Sequence, residues 1–175
     1  MTIRPRFALP ATAPGAAARC RAIFGLLGLA VAPVAVAVTV TPAGDLVAAG
    51  TLSYRKGFAG LSCPTTFTGT ISASGAVTIN AASFTTRGLC AQISAMSLPW
   101  TGQADPRGVL VIDNAAVEVK APFVGGLCGP SRIELQWDNT HSTLTFKDVL
   151  LQAPTGSSCK TNGQITVSPA LDVQP

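Results

Sequence analysis

Apolar and polar residues alternate with a period of two between residues 131 and 147. Ile133, Leu135 and Trp137 interleave with Arg132, Glu134, Gln136 and Asp138, and Leu144 and Phe146 interleave with Thr143, Thr145 and Lys147. That period belongs to strands with one buried face. A four-residue loop, Asp138-Asn139-Thr140-His141, sets Trp137 against Ser142, Leu135 against Leu144 and Ile133 against Phe146. The apolar partners then share one face, which is what fixes a hairpin's register. A second hairpin is expected upstream. With Ala73-Ser74-Gly75 as a three-residue loop, Ile71 meets Val77, Gly69 meets Ile79 and Phe67 meets Ala81. Gly75 then takes the left-handed position of a type I turn plus bulge. Further strands are expected at 46–54, 89–96, 109–113, 115–120 and 164–168.

No stretch beyond the N-terminal region carries helical periodicity, and Gly, Pro and Asn punctuate the short strands. This pattern predicts an all-β domain. An antiparallel β-sandwich is the expected architecture, because two closed hairpins suit two packed sheets; a small β-barrel is the alternative.

The first 37 residues read differently. Arg4, Arg6, Arg19 and Arg21 precede any acidic residue, and an apolar run over 23–38 ends in Ala35-Val36-Ala37. A basic start, an apolar centre and small residues at a cleavage point predict a helical signal peptide cut after Ala37. A spanning helix wants roughly 20 apolar residues, and Pro33 interrupts this run. Cys20 precedes the run, whereas a lipid-modified cysteine would follow it. The expectation is an exported single domain over 38–175, secreted or held at the outer cell surface, with the periplasm as the other destination.

The leader also accounts for the charge. The chain has 12 Lys and Arg against 8 Asp and Glu, but four of the arginines lie in the leader, so residues 38–175 are neutral. A nucleic-acid partner is therefore not expected. Charged residues make up 11% of the chain, against about 25% in a typical domain. A sparsely charged, neutral surface favours self-association.

Four cysteines remain outside the leader: Cys63, Cys90, Cys128 and Cys159. In an exported chain these read as two disulfides with three possible connectivities. Each of the pairs 63–90 and 128–159 brackets cysteine, strand, turn, strand, loop, cysteine, which favours those bridges and points to a weak internal duplication. Zinc knuckles need close Cys-x-x-Cys pairs, and His141 is the single histidine. No metal and no cofactor are expected.

Catalytic chemistry is thinly supplied. His141 lies in a loop next to Ser142 and near Asp138, and a triad instead draws its members from separate elements in fixed geometry. Glu134 and Asp138 share a strand face and read as a solvated face. Leu98-Pro99-Trp100-Thr101-Gly102 matches the L-P-x-T-G sorting signal, but a strand-rich segment follows it where an apolar tail and basic end are required. No catalytic residue is assigned.

Several ordered fragments carry a resemblance. They are Leu61-Ser62-Cys63 with Thr66-Phe67-Thr68-Gly69, Leu98-Pro99-Trp100-Thr101, and Cys128-Gly129-Pro130. Trp137 with Ser142-Thr143-Leu144-Thr145-Phe146, and Gly163 on to Ser168-Pro169-Ala170-Leu171, complete the set. With the four cysteines, the chain resembles the Pra proteins, secreted activators of alkane oxidation. The resemblance implies an exported, non-enzymatic protein that helps cells gain access to hydrocarbons, and it brings no catalytic residues. Such a protein needs exposed apolar surface for its hydrophobic partner. The candidates are Leu98 and Trp100 in one segment and Phe123 and Val124 in another, for which ordinary packing is the competing explanation. The alternative is a cell-surface or matrix protein, adhesin-like, whose strand edges pair with surface components or with further copies.

Overall fold

The computed structural model describes residues 37–84 and 88–175; the expected helical leader lies outside them. Eleven strands follow in order: β1 Thr39–Thr41, β2 Gly44–Lys56, β3 Ala59–Ile71, β4 Ala76–Phe84, β5 Ile93–Met96, β6 Trp100–Asp105, β7 Val109–Val119, β8 Gly126–Asp138, β9 Thr143–Leu151, β10 Cys159–Ser168 and β11 Asp172–Gln174. A 3-10 turn, Gly88–Gln92, precedes β5.

The wall is a single antiparallel sheet that closes on itself, in the order β7-β6-β4-β3-β2-β10-β9-β8 and back to β7. Closure comes from β7 against β8, from Val109 beside Gln136 to Val119 beside Gly126. This corrects the expected sandwich: the fold is the eight-stranded barrel. The reason lies in the length and bending of the strands. β2, β3 and β8 each run 13 residues, and strands of that length coil with the sheet's twist unless something flattens them. Bulges sharpen the bend. One falls opposite Thr68 and Gly69, where β4 carries Asn80 as an extra residue, another between Ile112 and Ala115 in β7. Gly69 and Gly102 sit at the tightest approaches, where an added Cβ would strike the carbonyl oxygens of Thr78 and Val111. Glycine at such corners is how a barrel wall turns.

The upstream hairpin has its expected register near the turn. Ile71 pairs with Val77 and Gly69 with Ile79, and Gly75 has φ 79°. The bulge then shifts the far end, so Phe67 faces Ala82 rather than Ala81. The downstream hairpin keeps the expected faces but slips by two residues. Trp137 pairs with Leu144 and Asp138 with Thr143, so the loop is 139–142. Expected strands 109–113 and 115–120 are one strand, β7, bent at Asn114 with φ 60°. The expected strand at 89–96 begins as the 3-10 turn.

Inside the ring, Leu46, Ala48, Phe67, Ile79, Trp100, Ile112, Leu135, Phe146 and Ile165 form the core. Phe67 stands between Trp100 and Phe146, with ring centroids 6.0 and 6.4 Å away. A cavity of about 70 Å³ remains along the axis, with an almost wholly apolar lining.

The two ends differ. β1 and β11 pair across one of them, with Val40, Leu171 and Val173 buried beneath. Asn139 fastens this cap: its Nδ2 donates to Val173 O at 2.7 Å and its Oδ1 accepts from Val173 N at 2.8 Å. The opposite end carries the β2–β3 turn, the 3-10 turn and the β7–β8 and β9–β10 loops. Both disulfides, Cys63–Cys90 and Cys128–Cys159, lie there. Each joins the start of one strand to the return of the same strand–turn–strand unit, as the expected duplication requires.

Candidate apolar contact site at the uncapped end

Every connection at the uncapped end is brought there by strand direction alone. β2, β4, β7 and β9 run toward it, and β3, β8 and β10 run away from it. Three of these connections carry large apolar side chains outward. Phe58 in the β2–β3 turn is 85% exposed, Leu89 in the 3-10 turn 60%, and Phe123 in the β7–β8 loop 98%. Scattered apolar residues on a surface are ordinary; three on separate loops around one opening form a patch.

Phe123 also has φ 67°. A bulky residue in the left-handed region costs of order 1 kcal/mol or more, and this side chain has no burial to offset it. The backbone thus holds the ring outward at a cost to stability. Lys120 N donates to Gln92 O at 2.7 Å, which ties the base of this loop to the 3-10 turn.

Between the loops lies a groove of about 170 Å³, with Tyr54, Leu61, Ile93, Val117, Val119 and Val124 among its lining. Arg55 and Lys56 border it with apolar atoms, its exposed lining is almost wholly apolar, and no carboxylate lines it. Lys56 is 7% exposed. Its Nζ donates to Ser157 O at 2.8 Å and contacts Cys128 Sγ at 3.1 Å, and among the described residues no acidic side chain pairs with it. Desolvation pushes its pKa below the usual lysine value. Beneath the groove, Tyr54 Oη and Thr65 Oγ1 are hydrogen-bonded at 2.8 Å, and burial pushes the Tyr54 phenol well above its usual value.

The charges of the barrel are sorted along its axis. Arg55, Lys56, Lys120 and Lys160 lie toward the uncapped end with Glu118 and Asp148, the partners of the last two lysines, while Asp45, Asp105, Asp138 and Asp172 lie toward the capped end with Arg107. Arg107 holds the Asp105 carboxyl down at about 2, chiefly through its side-chain hydrogen bonds.

The four residues expected to contact a hydrophobic partner do not lie together. Phe123 and Val124 line the groove. Trp100 points into the core at 5% exposure, and its Nε1 donates to Met96 O at 2.8 Å. It packs against Phe67 and is not surface. Leu98 is exposed on the bend between β5 and β6, in the wall rather than at the opening. The L-P-x-T-G match is accordingly embedded in the wall, its last three residues forming the start of β6. His141 Nδ1 lies 2.7 Å from Asp138 Oδ2 at the capped end, and the same carboxylate accepts from Thr140 N at 2.8 Å. These are contacts within one turn.

Phe58, Leu89 and Lys56 had no part in the expected site. The signal for Phe58 was present: an aromatic residue directly after Lys56-Gly57, where a turn exposes it. Lys56 is less legible, because its burial involves Cys128 of β8 and Ser157 of the β9–β10 loop, both far away in the chain.

A family model described as alkane oxidation protein activator, PraA/PraB-like, matches residues 10–175. No curated protein and no solved structure matches the chain.

Proposed function

The chain belongs to the PraA/PraB-like family of alkane oxidation protein activators, and on that footing we propose that it is an exported, non-enzymatic protein that gives cells access to hydrocarbons through the uncapped end of its barrel. The observation that carries this reading is the rim of Phe58, Leu89 and Phe123, exposed together around one opening. The two disulfides support export, since such bonds persist in oxidising compartments.

Volume decides where the hydrocarbon is met. A cavity of about 150 Å³ holds one benzene ring, and the axial cavity is about 70 Å³. No alkane chain fits along the axis of this closed form. The rim and its groove are the available contact, so the protein works at the surface of a hydrocarbon phase rather than by enclosing a molecule. Each phenylalanine that inserts is worth about 1.5–3 kcal/mol, the scale of fully burying such a side chain.

The test pairs an emulsification assay on Phe58→Ser/Phe123→Ser with growth of a deletion strain complemented by each form. The expected outcome is loss of emulsification and a growth defect confined to alkane. Equal growth defects on alkane and on a soluble carbon source, accompanied by a biofilm defect, would favour a matrix role instead.

A further inference from the structure

The barrel wall has a seam beside the groove. β8 and β9 pair only over residues 136–138 and 143–145, toward the capped end. Toward the uncapped end, 126–131 of β8 hold to β7 and 149–151 of β9 hold to β10, and no ladder joins β8 to β9. The Cys128–Cys159 bridge spans this gap, with Gly129 N donating to Gln152 O at 2.6 Å and Gln152 N to Ser131 Oγ at 2.9 Å.

The two sulfurs of that bridge have different surroundings. Cys159 lines the apolar groove and Cys128 does not. Cys128 is wholly buried, and Lys56 Nζ lies 3.1 Å from its Sγ. Apart from that sulfur the ammonium has the Ser157 carbonyl at 2.8 Å, and no counter-ion among the described residues. A buried cation without an anion is costly. Rupture of the bridge on the Cys128 side supplies the anion.

We propose that Cys128–Cys159 is a thiol-responsive latch: a small thiol enters by the groove and attacks Cys159, and Lys56 receives Cys128 as the departing thiolate. The incoming thiolate forms a bond to Cys159 Sγ, the Cys128–Cys159 bond breaks, and its electron pair stays on Cys128 Sγ. A second thiol then removes the first from Cys159 as an external disulfide, so two thiols are oxidised and one bridge is reduced. A neighbouring cation lowers a thiol's pKa, and a sulfur of lower pKa leaves faster. The other bridge lacks this arrangement. Neither Cys63 nor Cys90 lines the groove; Cys90 Sγ has the Ser62 carbonyl at 3.6 Å, and no cation is bonded to either sulfur among the described residues. Reduction leaves two hydrogen bonds across the seam, so the uncapped end loosens while the ladder at 136–138 stays closed. This device is independent of what the uncapped end contacts.

The experiment treats the purified, oxidised protein with 2-mercaptoethanol at neutral pH, alkylates free thiols at intervals and maps the peptides without further reduction. Cys128–Cys159 is expected to open on the order of tenfold faster than Cys63–Cys90, with the mercaptoethanol adduct on Cys159 and the alkyl group on Cys128. Lys56→Met should slow this opening and leave Cys63–Cys90 unchanged. A lysine that only fills space predicts the reverse, because a loosened fold exposes its bridges faster. Hydrogen exchange on the singly reduced protein should show protection lost at 126–131 and 149–153 and kept at 136–138. The order of opening and the position of the adduct on the unaltered protein decide the matter even if the variant does not fold. Cys63–Cys90 opening first, both bridges opening at one rate or resisting, an adduct on Cys128, or unchanged protection along the seam would overturn the inference.

Discussion

Phe123 shows how a single residue divides stability from function. Its left-handed backbone suits asparagine or glycine better than phenylalanine, and its ring is 98% exposed. Phe123→Asn is therefore expected to keep or raise the unfolding free energy, by up to about 1 kcal/mol, while weakening adsorption to an alkane–water interface. Chemical denaturation and interfacial tension on the same preparation check both halves. Lys56 yields a second expectation. Its folded pKa lies below the ordinary 10.5, so between those two values the unfolded chain binds more protons than the folded one. Stability from this group must then rise with pH across that window. Denaturation midpoints measured from neutral pH upward should show the rise in the unaltered protein and lose it in Lys56→Met. Residue-level legibility followed exposure. Phe123 lies in a short apolar loop that the sequence displays, whereas the burial of Lys56 depends on loops far away in the chain.

The elements show what periodicity can and cannot settle. A period of two assigns faces, and a slip of two residues preserves every face. The hairpin of β8 and β9 kept its faces while exchanging Leu135 for Trp137 opposite Leu144. The left-handed Ser142, φ 50°, belongs to the turn, which a four-residue loop beginning at Asp138 had not required. In the other hairpin Gly75 fixed the turn, so the register near it was legible as far as the bulge after Gly69. The short strands β1 and β11 have three residues each, too few for any alternation. Bulges and corners explain why a sandwich was expected where a barrel formed: the bends are invisible to a hydrophobic pattern. Gly69→Val tests the corner. Its side chain would meet the Thr78 carbonyl, and the expected cost is 2 kcal/mol or more, on the scale of severe overpacking. Urea denaturation measures it. A substitution at Gly60, exposed in the same strand and with only the Tyr54 carbonyl near it at 3.9 Å, controls for the loss of glycine alone.

At the scale of the molecule, closure and cross-linking place their constraints at opposite ends. The β1–β11 pair and Asn139 close one end without covalent help, and both disulfides serve the other. Their sequence separations are 27 and 31, so each bridge contributes roughly 3–4 kcal/mol in the chain-entropy description. Replacing Cys128 and Cys159 together by alanine should cost about that much, and hydrogen exchange should report the loss first around the groove. Equal loss of protection at the capped end would contradict this division. Closure bears on the alternative role as well. The β7–β8 pairing takes up edges that a sandwich would leave open, so edge-to-edge assembly would have to begin elsewhere, for instance along the four-residue β5.

The sorted charges make the barrel an electric dipole although residues 38–175 carry no net charge. In the field of a negatively charged surface such a body turns before it touches, and its aromatic tip leads. Arrival should accelerate at low ionic strength, whereas departure, governed by rings already inserted, should respond little to salt. Stopped-flow measurements on anionic and zwitterionic droplets would separate the two rates.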